Sequence, residues 1–225
     1  MRNTSGLSQP CCVSGGEPEG RGGKEMTAKK MVRNIEPDDP MLQYSGRIDD
    51  DDPKAPVLIY AASWVKMIFT GTSVAVTLAN HHAYWTNEMG YLLDGVQGRI
   101  RLLNDGKKKT YEIAEQLPDA RHELMLFKRM DACHTVTFYG FTVDDGADLL
   151  PPEPKPARRM EVFGDSVSCG EVSEAVDYVG KEDPVHDGQY SNSWYSYAWM
   201  TARKLGAELH DASQGGIALL DGTGW

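Results

Sequence analysis

Between Met160 and Glu171 the sequence reads MEVFGDSVSCGE, a short apolar run that stops at Gly164-Asp165-Ser166, with a second glycine at Gly170. Further on, another short run, AELHDAS, closes on Gln214-Gly215-Gly216. Both runs have the length of a strand, and NSWYSYAWMTARKLG between them carries helix signals. Asn192 or Ser193 can cap its start, and Trp194, Ala198, Thr201 and Leu205 recur at helical spacing. Arg203 and Lys204 fill the last turn, and Gly206 ends it. Strand, helix, strand predicts a parallel pair with a right-handed crossover. In such a unit the carboxyl ends of both strands open onto one crevice. Ser166 and the Gly215-Gly216 loop are therefore expected side by side. A serine hydroxyl held there can attack a carbonyl carbon while nearby backbone N–H groups hold the oxyanion. Gly164 allows the sharp turn and Gly170 a close backbone approach. Gly-Asp-Ser is an ordinary loop tripeptide; its place at a strand end, matched by a second glycine loop, is what points to chemistry. The pattern is not the G-x-S-x-G elbow, because Ser168 occupies the last position.

The elements before this unit have a different period. From Gln43 to Val143 apolar residues alternate: Val74, Val76 and Leu78 share one face of SVAVTLAN, and Val136, Phe138 and Phe141 point inward in HTVTFYGFTVD. YLLDGVQGRIRLLN reads as a hairpin turning at Asp94-Gly95. Many short strands separated by turns predict a β-sandwich over residues 41–148. Residues 149–159, LLPPEPKPARR, form a proline-rich linker, and residues 160–225 the strand–helix–strand region. Residues 1–35, rich in Gly, Ser and charge, are expected to be a disordered tail, with Met26 and Met31 as alternative starts.

The chain has 33 Asp and Glu against 23 Lys and Arg, a net charge of −10, with 40% hydrophobic residues. That suffices for a packed core and disfavours nucleic acid and anionic membrane surfaces as partners. No apolar stretch is long enough for a spanning helix, and the first thirty residues lack a signal-peptide core, so the expected location is cytoplasmic. Cys11 and Cys12 lie in the tail, Cys133 and Cys169 far apart, and unpaired thiols are expected. His81, His82 and His134 fall in the sandwich, His122 on a loop, and His210 at the end of the second strand. No set of ligands converges, so neither a metal nor another cofactor is expected.

VFGDSVSCG followed by NSWYSYAWMTARKLGAELHDASQGGIALL resembles the first two blocks of the SGNH (GDSL-type) hydrolases. With an upstream sandwich opening on YSGRID, the whole from Met41 onward resembles carbohydrate esterase family 2. The resemblance implies a jelly-roll β-sandwich followed by the first βαβ part of a flavodoxin-like SGNH domain, and a serine esterase removing O-acetyl groups from xylan or glucomannan. It implies Ser166 as nucleophile, with its own N–H and that of Gly216 as oxyanion donors and Gly215 as the neighbouring alternative. The family's Gly-x-Asn-Asp block and its block with the general-base histidine have no counterpart, so the catalytic domain is expected to be incomplete and the chain alone weak or inactive. Asp183 and His186 in DPVH reproduce the Asp-x-x-His spacing of that last block, but in a polar stretch that reads as an exposed loop. The aromatics of WYSYAW read as core. Trp85 and Tyr84, in HHAYWTN, are the candidates for stacking on pyranose rings. A different reading is a non-catalytic carbohydrate-binding sandwich; a third keeps the serine chemistry with another acyl group, which the sandwich and the absence of a broad apolar lid disfavour. Neither the particular polysaccharide nor the oligomeric state is legible.

Overall fold

The computed structural model describes residues 32–220 and residue 222. Up to Leu150 its regular structure is strand: β1 (Val32–Ile35), β2 (Gln43–Ser45), β3 (Ile48–Asp49), β4 (Val57–Leu58), β5 (Trp64–Gly71), β6 (Val74–His81), β7 (Glu88–Leu93), β8 (Val96–Arg101), β9 (Lys109–Ala114), β10 (Ala120–Lys128), β11 (Thr135–Asp144) and β12 (Leu149–Leu150). One sheet runs β3-β4-β11-β6-β9, with β1 on β11; the other runs β12-β5-β10-β7-β8, with β2 on β5. The alternating residues meet between them. Val74, Val76, Leu78, Val136 and Phe138 from the first sheet form one buried cluster with Val65, Met67, Phe69, Leu124 and Leu126 from the second. The result is a β-sandwich.

Local chemistry explains the details. Asp94 (φ 51°) and Gly95 (φ 81°) both take the left-handed conformation that a two-residue hairpin loop needs, and β7 pairs with β8 from Leu93↔Val96. Phe138 and Phe141 both point inward despite odd spacing because the register between β11 and β6 shifts between them, as a β-bulge allows. Gly140 sits in that bulge at φ +107°, where a Cβ would lie 2.2 Å from the Ile35 carbonyl oxygen of β1.

Three expectations are corrected here. Residues 32–35 are not tail: β1 pairs with β11 from Val32↔Asp144 to Ile35↔Phe141. Residues 1–31, with Cys11 and Cys12, lie outside the described residues. The linker is shorter than 149–159, since Leu149 and Leu150 pair with Phe69 and Ile68 and the next strand starts at Arg158. His122 is in β10, not a loop; its ring is buried and bonded to the Asp94 carboxylate (2.6 Å) and the Pro118 carbonyl (2.8 Å).

Beyond the linker come β13 (Arg158–Gly164), α1 (Ser166–Cys169), α2 (Tyr197–Leu205) and β14 (Ala207–Ser213). β13 and β14 pair in parallel, from Arg158↔Ala207 to Gly164↔Ser213. The expected single helix is split. Asn192 caps a 3₁₀ turn, Ser193–Tyr195, and Ser196 caps α2 by accepting from the Trp199 N–H. The break shifts the buried face from Thr201 and Leu205 to Ala198, Trp199 and Ala202. With Leu209, those three residues pack on Ala62 and Phe127, on the outside of the second sheet. Among the described residues no helix is long and apolar enough to cross a membrane.

Candidate active site

The serine turn is built by its neighbours. Asp165 leaves the strand in an extended conformation and caps α1, its Oδ1 accepting from the Val167 N–H at 3.0 Å. Gly170, at φ 78°, closes the four-residue helix, and its missing side chain leaves room for the Asn192 carbonyl, which a Cβ would approach to 2.6 Å. Gly164 is required for a similar reason: a Cβ there would lie 2.0 Å from Ser168 Oγ. That hydroxyl is held by Tyr197 OH at 2.7 Å. Ser166 is half-buried, and its hydroxyl makes no hydrogen bond among the described residues.

The glycine loop lies at the matching end of β14. Pairing continues one step past Gly164↔Ser213, because the Gln214 N–H donates to the Gly164 carbonyl at 3.1 Å. Gly215 and Gly216 therefore follow beside the serine turn. The two glycines differ. Gly215 is buried and donates its N–H to Asp131 Oδ2 at 2.7 Å. Gly216 is exposed, has φ 74°, and its N–H is uncommitted among the described residues. An exposed serine turn beside a free amide is an arrangement that can hold an acyl carbonyl for attack.

Trp85 approaches this region from the β6–β7 loop. It lines a narrow crevice with Asp131, Glu171 and Ser191. Its ring is half-buried, with His186 tilted against it (centroids 4.3 Å apart) and Tyr84 meeting it edge to face (4.9 Å). His186 thus packs on the tryptophan and accepts from the Gly188 N–H at 3.3 Å. His122 and His134 are buried in the sandwich, and His210 lies within β14 rather than at its end. Of the WYSYAW aromatics, Trp194 and Trp199 join the core while Tyr195 and Tyr197 are exposed.

Sequence reasoning missed the residues that join the sandwich to the turn. Lys128 and Arg129, at the end of β10, are buried. Lys128 Nζ donates to the carbonyls of Met130 (2.7 Å) and Asp131, and burial pulls its ammonium down to about 8. Arg129 donates to the Ser191 carbonyl (3.1 Å) and Glu174 Oε2 (2.6 Å). Burial, with Asp131 and Asp183 nearby, raises the Glu171 carboxyl above its usual range. Burial likewise drives the Cys169 thiol far up and raises that of Cys133, so neither of these two free cysteines is a poised nucleophile. Two cations continuing the apolar run of LMLFKRM were the available signal: charges buried only where partners meet them.

A sandwich carrying a parallel strand pair on its outer face, with a serine turn and a glycine turn at adjacent strand ends, defines the class of two-part proteins to compare. The family model described as carbohydrate esterase 2 N-terminal matches residues 44–153. A cellulase/esterase of Acetivibrio thermocellus is 31% identical over 183 residues, covering 81% of this chain and 21% of that protein. An acetylxylan esterase / glucomannan deacetylase of Cellvibrio japonicus is 27% identical over 191 residues, 84% of this chain and 51% of that protein. The structure of a family two carbohydrate esterase from Clostridium thermocellum in complex with cellohexaose superposes with a TM-score of 0.68 at 28% identity, covering 79% of this chain and 52% of that one. The sandwich, residues 44–153, is thus that of carbohydrate esterase family 2. The chain spans about half the length of the Cellvibrio relative and a fifth of the Acetivibrio one.

Proposed function

We propose that this chain is the sandwich-and-nucleophile part of a serine carbohydrate esterase that removes O-acetyl groups from plant polysaccharides such as xylan or glucomannan. The observation that carries the reading is the register of the parallel pair. Gly164↔Ser213, extended by the Gln214 N–H to the Gly164 carbonyl, sets Ser166 and Gly216 at neighbouring strand ends. The name of the Cellvibrio relative supports the substrate class, and that of the Acetivibrio one the esterase activity. The parallel pair is read as the opening βαβ part of an SGNH domain. Ser166 Oγ attacks the acetyl carbonyl, and the N–H groups of Ser166 and Gly216 take the oxyanion. The sugar hydroxyl leaves with a proton, and water then releases acetate from the serine. Gly215, whose amide Asp131 already occupies, is the less suitable donor. Trp85 offers an aromatic edge beside the crevice for a pyranose. The chemistry calls on no cofactor.

It does call on a base. None of the six histidines hydrogen-bonds Ser166 among the described residues, so the reading places the base outside these 225 residues. Loss of the base costs on the order of 10⁶-fold in kcat in a serine triad. The test compares this chain and Ser166→Ala on 4-nitrophenyl acetate, alone and joined to the C-terminal half of a family two esterase. Alone, the two should differ little. Joined, the wild type should release acetate from acetylated glucomannan, and Ser166→Ala should abolish it. Robust Ser166-dependent turnover by the isolated chain would refute the outside base; serine-independent turnover by the joined protein would refute the esterase reading.

A further inference from the structure

We propose that Asp131, on the sandwich connection between β10 and β11, is a positioning residue of this active site: its carboxylate holds the Gly215 amide and thereby aims the N–H of Gly216. The inference rests on the reading of Gly216 as an oxyanion donor. It makes the sandwich part of the catalytic geometry and not merely an appended domain.

The contact is specific. Asp131 is 7% exposed, and its Oδ2 accepts from the Gly215 N–H at 2.7 Å while Oδ1 accepts from the Cys133 N–H at 3.2 Å. Both oxygens are engaged, which fixes the carboxylate plane. A Cβ on residue 215 would stand 2.7 Å from Asp131 Oδ2 and 3.3 Å from Glu171 Oε2. The first of two consecutive glycines thus serves close approach to the carboxylate. The second takes the left-handed turn, φ 74°, which glycine adopts without strain.

The anchor is itself held. Lys128 Nζ, fully buried, donates to the Met130 carbonyl at 2.7 Å and to that of Asp131. The Ser193 hydroxyl donates to the Lys128 carbonyl at 2.7 Å, and the Ser193 N–H to the Arg129 carbonyl at 2.9 Å. An exposed Gly-Gly pair on its own would sample many orientations. One fixed amide removes much of that freedom from the next peptide. Misplacement of a reacting group by about 1 Å can cost roughly 10²-fold in rate, and a lost oxyanion donor about 10²–10³-fold.

Asp131→Ala and Asp131→Asn test the idea through two readouts. In this chain, amide exchange at Gly215 is followed by NMR. Asp131→Ala should speed it at least tenfold while exchange at the β13–β14 pair stays slow; Asp131→Asn, which keeps an acceptor oxygen, should stay near wild type. In the chain joined to the C-terminal half of a family two esterase, Asp131→Ala should lower kcat about 10- to 100-fold with KM little changed, and Asp131→Asn should recover most of the loss. Unchanged kcat in Asp131→Ala, or Gly215 exchange indifferent to it, overturns the proposal. So does an Asp131→Asn variant as slow as Asp131→Ala with Gly215 still protected, since charge and not positioning would then be at work. If turnover proves independent of Ser166, the esterase reading falls by itself, and the Gly215 exchange still decides whether Asp131 holds the loop.

Discussion

Asp211 sits in the middle of β14, 1% exposed, with Oδ1 accepting from the Ser213 hydroxyl and Oδ2 unpartnered among the described residues. Burial pushes its carboxyl up to about 6 from an ordinary 3.8, against the lowering effect of Ser213. A carboxyl raised on folding is one whose ionisation opposes folding. Its contribution is therefore whole below about pH 4 and is lost as pH rises through 6, a loss of about 3 kcal/mol. Asp211→Asn removes that titration. Measured by urea unfolding, the stability of the variant relative to wild type should climb between pH 4 and pH 6 and then level off; a constant difference across that range would show that Asp211 does not ionise on the way. At this scale the sequence was readable at Gly170, where another backbone comes close, and at Ser166, which follows a strand end; Gly164 is needed to clear Ser168 and not to turn the chain. Asp131 and Asp211 were silent. An aspartate looks the same whether it faces water or caps a buried amide, and only the tertiary contact separates the two.

Elements were legible to the extent that local spacing decides them. The sandwich strands, the Asp94-Gly95 hairpin and β14 follow from alternation and turn chemistry. The phase of α2 did not, because Ser196 offers a cap inside what looks like one helix, and the backbone takes it. β12 hides in a proline-rich stretch for the same kind of reason: two leucines pair at a sheet edge before the prolines begin. The junction of β13 and α1 gives the test at this scale. Gly164→Ala would place its Cβ 2.0 Å from Ser168 Oγ, 2.7 Å from Ser168 Cβ and 3.2 Å from Ser213 Oγ. The serine cannot simply swing aside, since its Cβ also obstructs and its hydroxyl is tied to Tyr197. The variant should lose about 1–3 kcal/mol, read as a lower urea midpoint at unchanged slope. Adding Ser168→Gly should restore part of the loss. A neutral Gly164→Ala would mean that the turn yields, and with it the argument that glycine is required there.

For the whole molecule the question is whether sandwich and strand pair are separable. A two-stranded parallel sheet with short helices buries too little apolar surface to stand alone. Among the described residues it has no core of its own. Ala198, Trp199, Ala202 and Leu209 share one cluster with Ala62 and Phe127 of the sandwich side, with Trp64, Leu92 and Met125 around them. Phe127 is the keystone. Its ring lies 5.2 Å from Trp199 and 5.8 Å from Trp194, and it covers Gly90 on the neighbouring strand so closely that a Cβ there would stand 2.1 Å from the ring. Polar bonds reinforce the same seam, part-buried from Arg129 to Glu174 and buried from Ser193 to Lys128. One transition should follow on unfolding. Far-ultraviolet circular dichroism, which reports mainly the sandwich strands, and tryptophan fluorescence, to which Trp194 and Trp199 contribute from the seam, should give coincident urea curves. Phe127→Ala should cost about 3–5 kcal/mol and move both curves together. If fluorescence instead melts first and circular dichroism stays behind, the strand pair is a passenger on a sandwich that folds without it, and a carboxylate offered from that sandwich could not hold a catalytic loop in place.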